Sequence, residues 1–279
     1  MLGQALTAEL QRRQHSYLGV ARHQADRCLD VTDRTALLSL LRAVQPAVII
    51  NTVAQVDLAH CETNPGACYQ VNARVSADIA QYGRCCPCYY VYISTDHYYS
   101  GAGRYPHREQ DPVNLCNEYA ITKYCGEQLA LTHPQALVVR TNIVGFRHAP
   151  QRPTFVEWVI RALQQQQPIT LFADVYTSSI DTGSFAAALL DLIATRPTGI
   201  INLASAEVAS KQQFILALAH ALQLPTHHTH TGSSQDHPGA VQRNNNLGLN
   251  VSLAEAQLGY ALPNLQQVIG HLAKQHATR

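Results

Sequence analysis

Three short apolar runs, each closing on a polar residue, constrain this chain more than any other feature. They are Ala47-Val48-Ile49-Ile50-Asn51, Tyr89–Ser94 and Ala136–Arg140. Runs of this kind belong to strands buried on both faces, as in a parallel sheet. Helical patterns lie between them, one from about Pro65 to Gln81 and one from Tyr119 to about Leu131. Strands alternating with helices at this spacing specify βαβ units and an α/β fold with a doubly wound parallel sheet. Upstream, residues 4–13 are amphipathic and helical, Tyr17–Val20 reads as a short strand, and Thr32 or Asp33 caps a helix bearing Leu37, Leu38, Leu40 and Leu41. From about residue 146 the alternation loosens. Thr154–Gln164, Asp181–Ile193 and Ser210–Leu222 read as helices, with a strand at Gly199–Leu203. Phe155 and Trp158 read as core on the first of these. The chain thus divides at 145/146 into a sheet domain and a smaller lobe, parts of which return to the sheet. Ligands of such sheets bind beyond the carboxyl ends of the strands, where Asn51, Thr95 and Thr141 fall.

Composition narrows the classes of partner. A formal charge of +1 over 279 residues argues against an extended nucleic-acid surface. No run of 18 apolar residues predicts a membrane span, and Met1–Leu6 lacks the pattern of a signal peptide. Of eight cysteines, only Cys85-Cys86-x-Cys88 cluster, without a second pair to complete a zinc site. Free thiols in a reducing cytoplasm are the reading, with no metal. His227-His228-Thr229-His230 falls in Thr226–Gly239, a polar stretch read as a mobile solvated loop.

The chemistry is carried by Tyr119-Ala-Ile-Thr-Lys123, about two dozen residues after Ile93-Ser94-Thr95-Asp96. A Tyr and a Lys four apart project from one helix face. A phenol titrates near 10 by itself, and an adjacent ammonium brings it toward the working range. Thr95, at the end of a buried strand, supplies a further hydroxyl. The spacing alone is common; joined to the strand-Ser-Thr-Asp tract it is specific.

These residues resemble the extended short-chain dehydrogenase/reductase superfamily, and within it the dTDP-4-dehydrorhamnose reductase family of sugar-nucleotide reductases. The resemblance continues through Asp30-Val31-Thr32-Asp33, Gln45–Ala54, Val56-Asp57, Tyr69–Asn72, Val139–Thr141, Gly199–Leu203, Asn250–Leu253 and Leu262-Pro263. It implies a Rossmann-like, nicotinamide-binding domain over 1–145 and a sugar-binding lobe over 146–279. It implies reduction of a 4-keto nucleotide sugar, with Tyr119 as general acid, Lys123 binding the nicotinamide ribose and lowering the Tyr119 pKa, and Thr95 binding the carbonyl. Cofactor contacts would be Gly3, Arg22, Asp30, Val31, Asn51, Thr52, Val53, Ala54 and Asn72, with Tyr119 and Lys123. Arg22, where an acid would select NAD, favours NADPH over NADH. Substrate contacts would be Val56, Asp57, Thr95, Asp96, Asn142, Phe146 and Phe155, with Asp174 and Tyr176 further candidates. A homodimer is the expectation by analogy with the superfamily.

The chain departs from this pattern at its start. Met1-Leu2-Gly3-Gln4 matches the end of the family's glycine fingerprint, so Gly3 would be the glycine of close helix–strand packing. The first strand and earlier glycines are missing, which leaves two neighbouring strands without a partner and removes the main diphosphate anchor. The expectation is a truncated form of a longer reading frame, or a degenerate, non-catalytic binding or regulatory member. An epimerase or dehydratase of the same superfamily is the enzymatic alternative. His97-Tyr98-Tyr99-Ser100 also departs from the family's Tyr-Val-Phe-Asp.

Overall fold

The computed structural model describes residues 1–101, 103–149, 151–236 and 241–278. Its elements begin with α1 (Leu2–Arg12), β1 (Val20–Ala21), β2 (Arg27–Cys28), α2 (Arg34–Val44) and β3 (Val48–Asn51). Then come α3 (Leu58–Thr63) and α4 (Pro65–Tyr69), which runs through a π-helical turn at Gln70–Arg74 into α5 (Val75–Cys85). β4 (Tyr89–Ile93), α6 (Glu118–Ala130), β5 (Ala136–Arg140) and β6 (Ile143–Val144) complete the first half. The second half holds α7 (Phe155–Gln164), β7 (Ile169–Phe172), β8 (Tyr176–Thr177), β9 (Ile180–Asp181), α8 (Thr182–Thr195) and β10 (Gly199–Asn202). It ends with β11 (Ala209–Ser210), α9 (Lys211–Ala221), β12 (Thr229–Gly232), β13 (Asn246–Leu247), α10 (Ser252–Leu258) and α11 (Leu265–Ala277).

The three apolar runs form the main sheet, a parallel set in the order β10-β5-β4-β3. Every residue of β4 and β5 is buried, as their unbroken apolar sequence requires. β4 nonetheless carries three tyrosines, and each hydroxyl finds a partner. Tyr90 donates to Ser76 Oγ at 2.9 Å, Tyr92 to the Asn72 carbonyl at 2.8 Å, and Tyr89 to the Pro197 carbonyl. A buried hydroxyl without a partner costs about 1–3 kcal/mol, so these bonds make the tyrosines tolerable in the core.

β3 is different. Only Asn51 of its four residues is buried, and its outer edge pairs with nothing among the described residues. β1 and β2 form a separate two-stranded parallel ribbon of exposed or half-exposed residues. No strand among the described residues joins this ribbon to the main sheet. With no strand to extend against, β1 shrinks from the predicted Tyr17–Val20 to Val20–Ala21.

The main core combines both halves of the chain. Leu6, Val91, Val139 and Ile201 pack with Phe185, Leu189 and Ala254, so α8 and α10 cover the sheet. A second core in the lobe gathers Val156, Ile160, Ile169, Phe214, Leu218 and Leu272. The 226–236 stretch is not a plain loop, because Thr229–Gly232 pairs in parallel with β7; 237–240 lie outside the described residues. Trp158, read as core, is 45% exposed. No helix among the described residues is long and apolar enough to cross a membrane.

Candidate active site

α6 carries the central side chains, and its sequence fixes how it sits. Asn117 caps its first turn by accepting from the Ala120 N–H at 2.9 Å. Further along, Gly126 lies against the Asn72 carbonyl and the Tyr92 hydroxyl so closely that a Cβ would overlap both. The contact draws α6 onto the π turn. Below it, Glu127 and Arg140 form a buried bidentate pair, Nη2–Oε1 at 2.5 Å and Nε–Oε2 at 3.1 Å. Ser94 Oγ donates to Glu127 at 2.9 Å, and Arg140 also donates to the Tyr99 hydroxyl and the Glu109 carbonyl. This network joins α6 to the carboxyl ends of β4 and β5.

The structure brings Thr95, Tyr119 and Lys123 together there. Tyr119 is 8% exposed, and burial pushes its phenol up to about 12. Hydrogen bonding from Thr95 opposes part of that rise. Lys123, one turn along, is 1% exposed, and burial lowers its ammonium to about 7. Its Nζ donates to the Ile93 carbonyl at 2.6 Å and lies over the Tyr92 ring. In this structure burial sets the direction of the Tyr119 shift, upward from the ordinary phenol value. Asp96 is buried and its carboxyl is raised by desolvation, while Asn142 Nδ2 donates to it at 2.6 Å and Ser179 Oγ holds Asn142 at 2.8 Å.

Several other expected contacts also hold the structure together. Asn51 accepts from the Val53 N–H, and Asn72 both accepts from the Gln55 N–H at 2.7 Å and donates to the Gln55 carbonyl. These two side chains brace the loop that bears Thr52, Val53 and Ala54, all half-buried. Asp57 caps α3 through the His60 N–H, and Val56 beside it is 53% exposed. Phe146 is buried in the lobe core, and Asp174 binds Ser233 and Ser234. Gly3 sits exposed on α1 with open space where a Cβ would be, so it mediates no close packing. Arg22, Asp30 and Val31 follow β1 and β2, and Asp30 is lowered chiefly by hydrogen bonds from Thr32, with a smaller contribution from Arg22.

Sequence reasoning passed over several groups. Lys211 begins α9, its Nζ over the Phe155 ring at 4.4 Å, and desolvation brings it to about 8. Half-buried His97 meets Tyr119 edge to face, ring centroids 5.3 Å apart. Cys61 and Cys68 lie buried against Tyr119 with their sulfurs 2.7 Å apart, and all eight cysteines are free. Only His97 carried a sequence signal, as a departure from the family pattern. No group of three metal-ligating side chains occurs among the described residues.

A Rossmann-like parallel sheet, with a Tyr–Lys helix against a Thr at the end of the neighbouring strand, defines the extended short-chain dehydrogenase/reductase class. A family model for the RmlD substrate binding domain matches residues 1–278, and the chain belongs to that family. It is 30% identical over 209 residues to a dTDP-4-dehydrorhamnose reductase of Streptomyces griseus, covering 72% of this chain and 66% of that protein. It is 25% identical to the spore coat polysaccharide biosynthesis protein SpsK of Bacillus subtilis (strain 168), over 81% of this chain and 77% of that one. Among solved structures, a hypothetical dTDP-4-dehydrorhamnose reductase from Sulfolobus tokodaii matches with TM-score 0.82 and 28% identity, over 94% and 92% of the two chains. A Bacillus anthracis dTDP-4-dehydrorhamnose reductase in complex with NADP shares the fold, with TM-score 0.87 and 20% identity over 98% and 95%.

Proposed function

We propose that this protein reduces the 4-keto group of a nucleotide-activated sugar with NADPH, residues 1–145 serving the dinucleotide and 146–279 the sugar. The observation that carries the reading is the burial of Thr95, Tyr119 and Lys123 together at the carboxyl end of β4, where Lys123 Nζ donates to the Ile93 carbonyl at 2.6 Å. The residues present fit the ends of a dinucleotide: Lys123 and the 52–54 loop suit the nicotinamide riboside, and Arg22 with Asp30 and Val31 suits the adenosine. The bound nicotinamide supplies a hydride. Tyr119, kept protonated by burial, gives its proton to the carbonyl oxygen as charge develops there, and the Thr95 hydroxyl holds that oxygen in place. Asn142, which donates to Asp96, and Asp96 itself are assigned to the sugar.

NADPH oxidation in the presence of a 4-keto nucleotide sugar tests this. Tyr119→Phe should abolish it while NADPH still shifts the melting temperature, and unchanged turnover would overturn the assignment. The unpartnered edge of β3 favours a second reading, a non-catalytic binding member. That reading holds if the folded chain binds the sugar but neither binds nor oxidises NADPH.

A further inference from the structure

We propose that His97 is a base that removes and returns the proton on a carbon flanking the substrate carbonyl, giving this site an enolisation activity that needs no dinucleotide. The inference rests on the 4-keto sugar reading above. His97 is on the segment leaving β4, two residues after Thr95, and its backbone N–H donates to Thr95 Oγ1 at 3.3 Å. That bond ties the imidazole's position to the hydroxyl that would hold the carbonyl oxygen. Its ring stands at 86° to the Tyr119 ring, with centroids 5.3 Å apart. In this proposal, a carbon flanking the carbonyl of a ketone held by Tyr119 and Thr95 lies beside this imidazole.

The ring is also in the right state to take a proton. Its nitrogens make no hydrogen bond to any described residue, and they are not among the sealed polar atoms of the core. Burial lowers its pKa, so it is neutral at pH 7, and Lys211 and Arg243 press in the same direction. Asp96 alone favours the imidazolium, which is the charge that forms when the proton arrives. A neutral imidazole beside a carboxylate, facing a polarised ketone, is a general base.

The step balances without a further reagent. The C–H bond beside the carbonyl breaks, its electron pair forms the C=C bond of an enolate, and the proton passes to an imidazole nitrogen. Tyr119 and Thr95 donate hydrogen bonds to the enolate oxygen, as they would to the alkoxide in reduction. The imidazolium proton exchanges with solvent, and its return to the same face of the enolate leaves the sugar chemically unchanged apart from the exchanged hydrogen.

The test uses the full chain with a 4-keto nucleotide sugar in deuterated water and no NADPH, read by proton NMR at the carbons flanking the carbonyl. Sugar binding is followed separately by saturation transfer. Deuterium should enter faster than in buffer alone. His97→Asn should slow entry about a hundredfold or more, the scale of one general base. Added imidazole should restore exchange in His97→Ala, which a structural role for the ring would not produce. His97→Tyr keeps an aromatic edge against Tyr119 and should melt like the parent, yet exchange nothing. Binding without accelerated exchange, or equal exchange in His97→Asn, overturns the role of His97 and leaves the reductase reading standing. Failure of the sugar to bind overturns both.

Discussion

The two ends of the sheet are built to different standards. At β4 and β5 every side chain is buried, and the last residues of these strands feed the Glu127–Arg140 network that positions α6. At β1, β2 and β3 almost nothing is buried, the ribbon is two residues long on each strand, and one edge of β3 is unpaired. Thr95, Tyr119 and Lys123, proposed to handle the proton, stand at the first end, and Arg22, Asp30 and Val31, proposed to meet the adenosine, at the second. Both groups lie within residues 1–145, yet they rest on different packing, and damage to one end should leave the other standing.

The sharpest way to break that comparison is at the ion pair. Glu127→Gln leaves Arg140 buried without its counter-charge, and should cost about 3–5 kcal/mol in denaturant unfolding. A loss under 1 kcal/mol would mean that the catalytic end is not the rigid one. Gly126→Ala should cost about 1–3 kcal/mol, because the methyl must displace the Asn72 carbonyl.

Lys123 gives a pH signature of the same end. Its ammonium is depressed to about 7 in the fold against an ordinary 10.5, so between those values the unfolded chain holds the extra proton and stability rises with pH. Lys123→Met should therefore stabilise most below pH 7. The gain should fade toward pH 10.5 by at most about 1.4 kcal/mol per pH unit. A pH-independent gain would place the lysine in water. The smallest effect is expected at the other end: Val20→Thr in the ribbon should change stability by no more than about 0.5 kcal/mol. Hydrogen exchange should follow the same order, with β4 and β5 amides opening only with global unfolding and those of β1 and β2 exchanging early.

How legible each part was in the sequence follows from the same physics. β3, β4, β5 and β10 were readable because strands of a parallel sheet are continuous apolar runs, and the helices between them because their leucines and caps repeat. β12 was not: Thr229-His230-Thr231-Gly232 has no apolar pattern, and only pairing with β7 makes it a strand. Within the candidate site, Thr95, Tyr119 and Lys123 were nominated from local spacing. The Glu127–Arg140 pair and the approach of Lys211 to Phe155 are tertiary, and no spacing announces them. Asn51 and Asn72 show what spacing leaves out. Both were expected to contact the cofactor, and their amides also brace the backbone of the loop after β3, a role that only the tertiary structure reveals.

The π turn at Gln70–Arg74 has a consequence for how this protein can change over evolutionary time. Such a turn holds one residue more than a regular helix, and each residue advances a helix by about 100°. Because the turn is wider, its five residues at about 80° each rotate the chain about as far as four residues of ordinary helix. Deleting outward-facing Gln70 or Arg74 should therefore let the backbone relax to ordinary α-helix with Ser76, Ile79 and Tyr82 still facing the core, and the Tyr90 hydroxyl should keep its Ser76 acceptor. The same deletion inside α5 would turn everything after it by about 100°, so the π turn is the place where this helix tolerates a change of length.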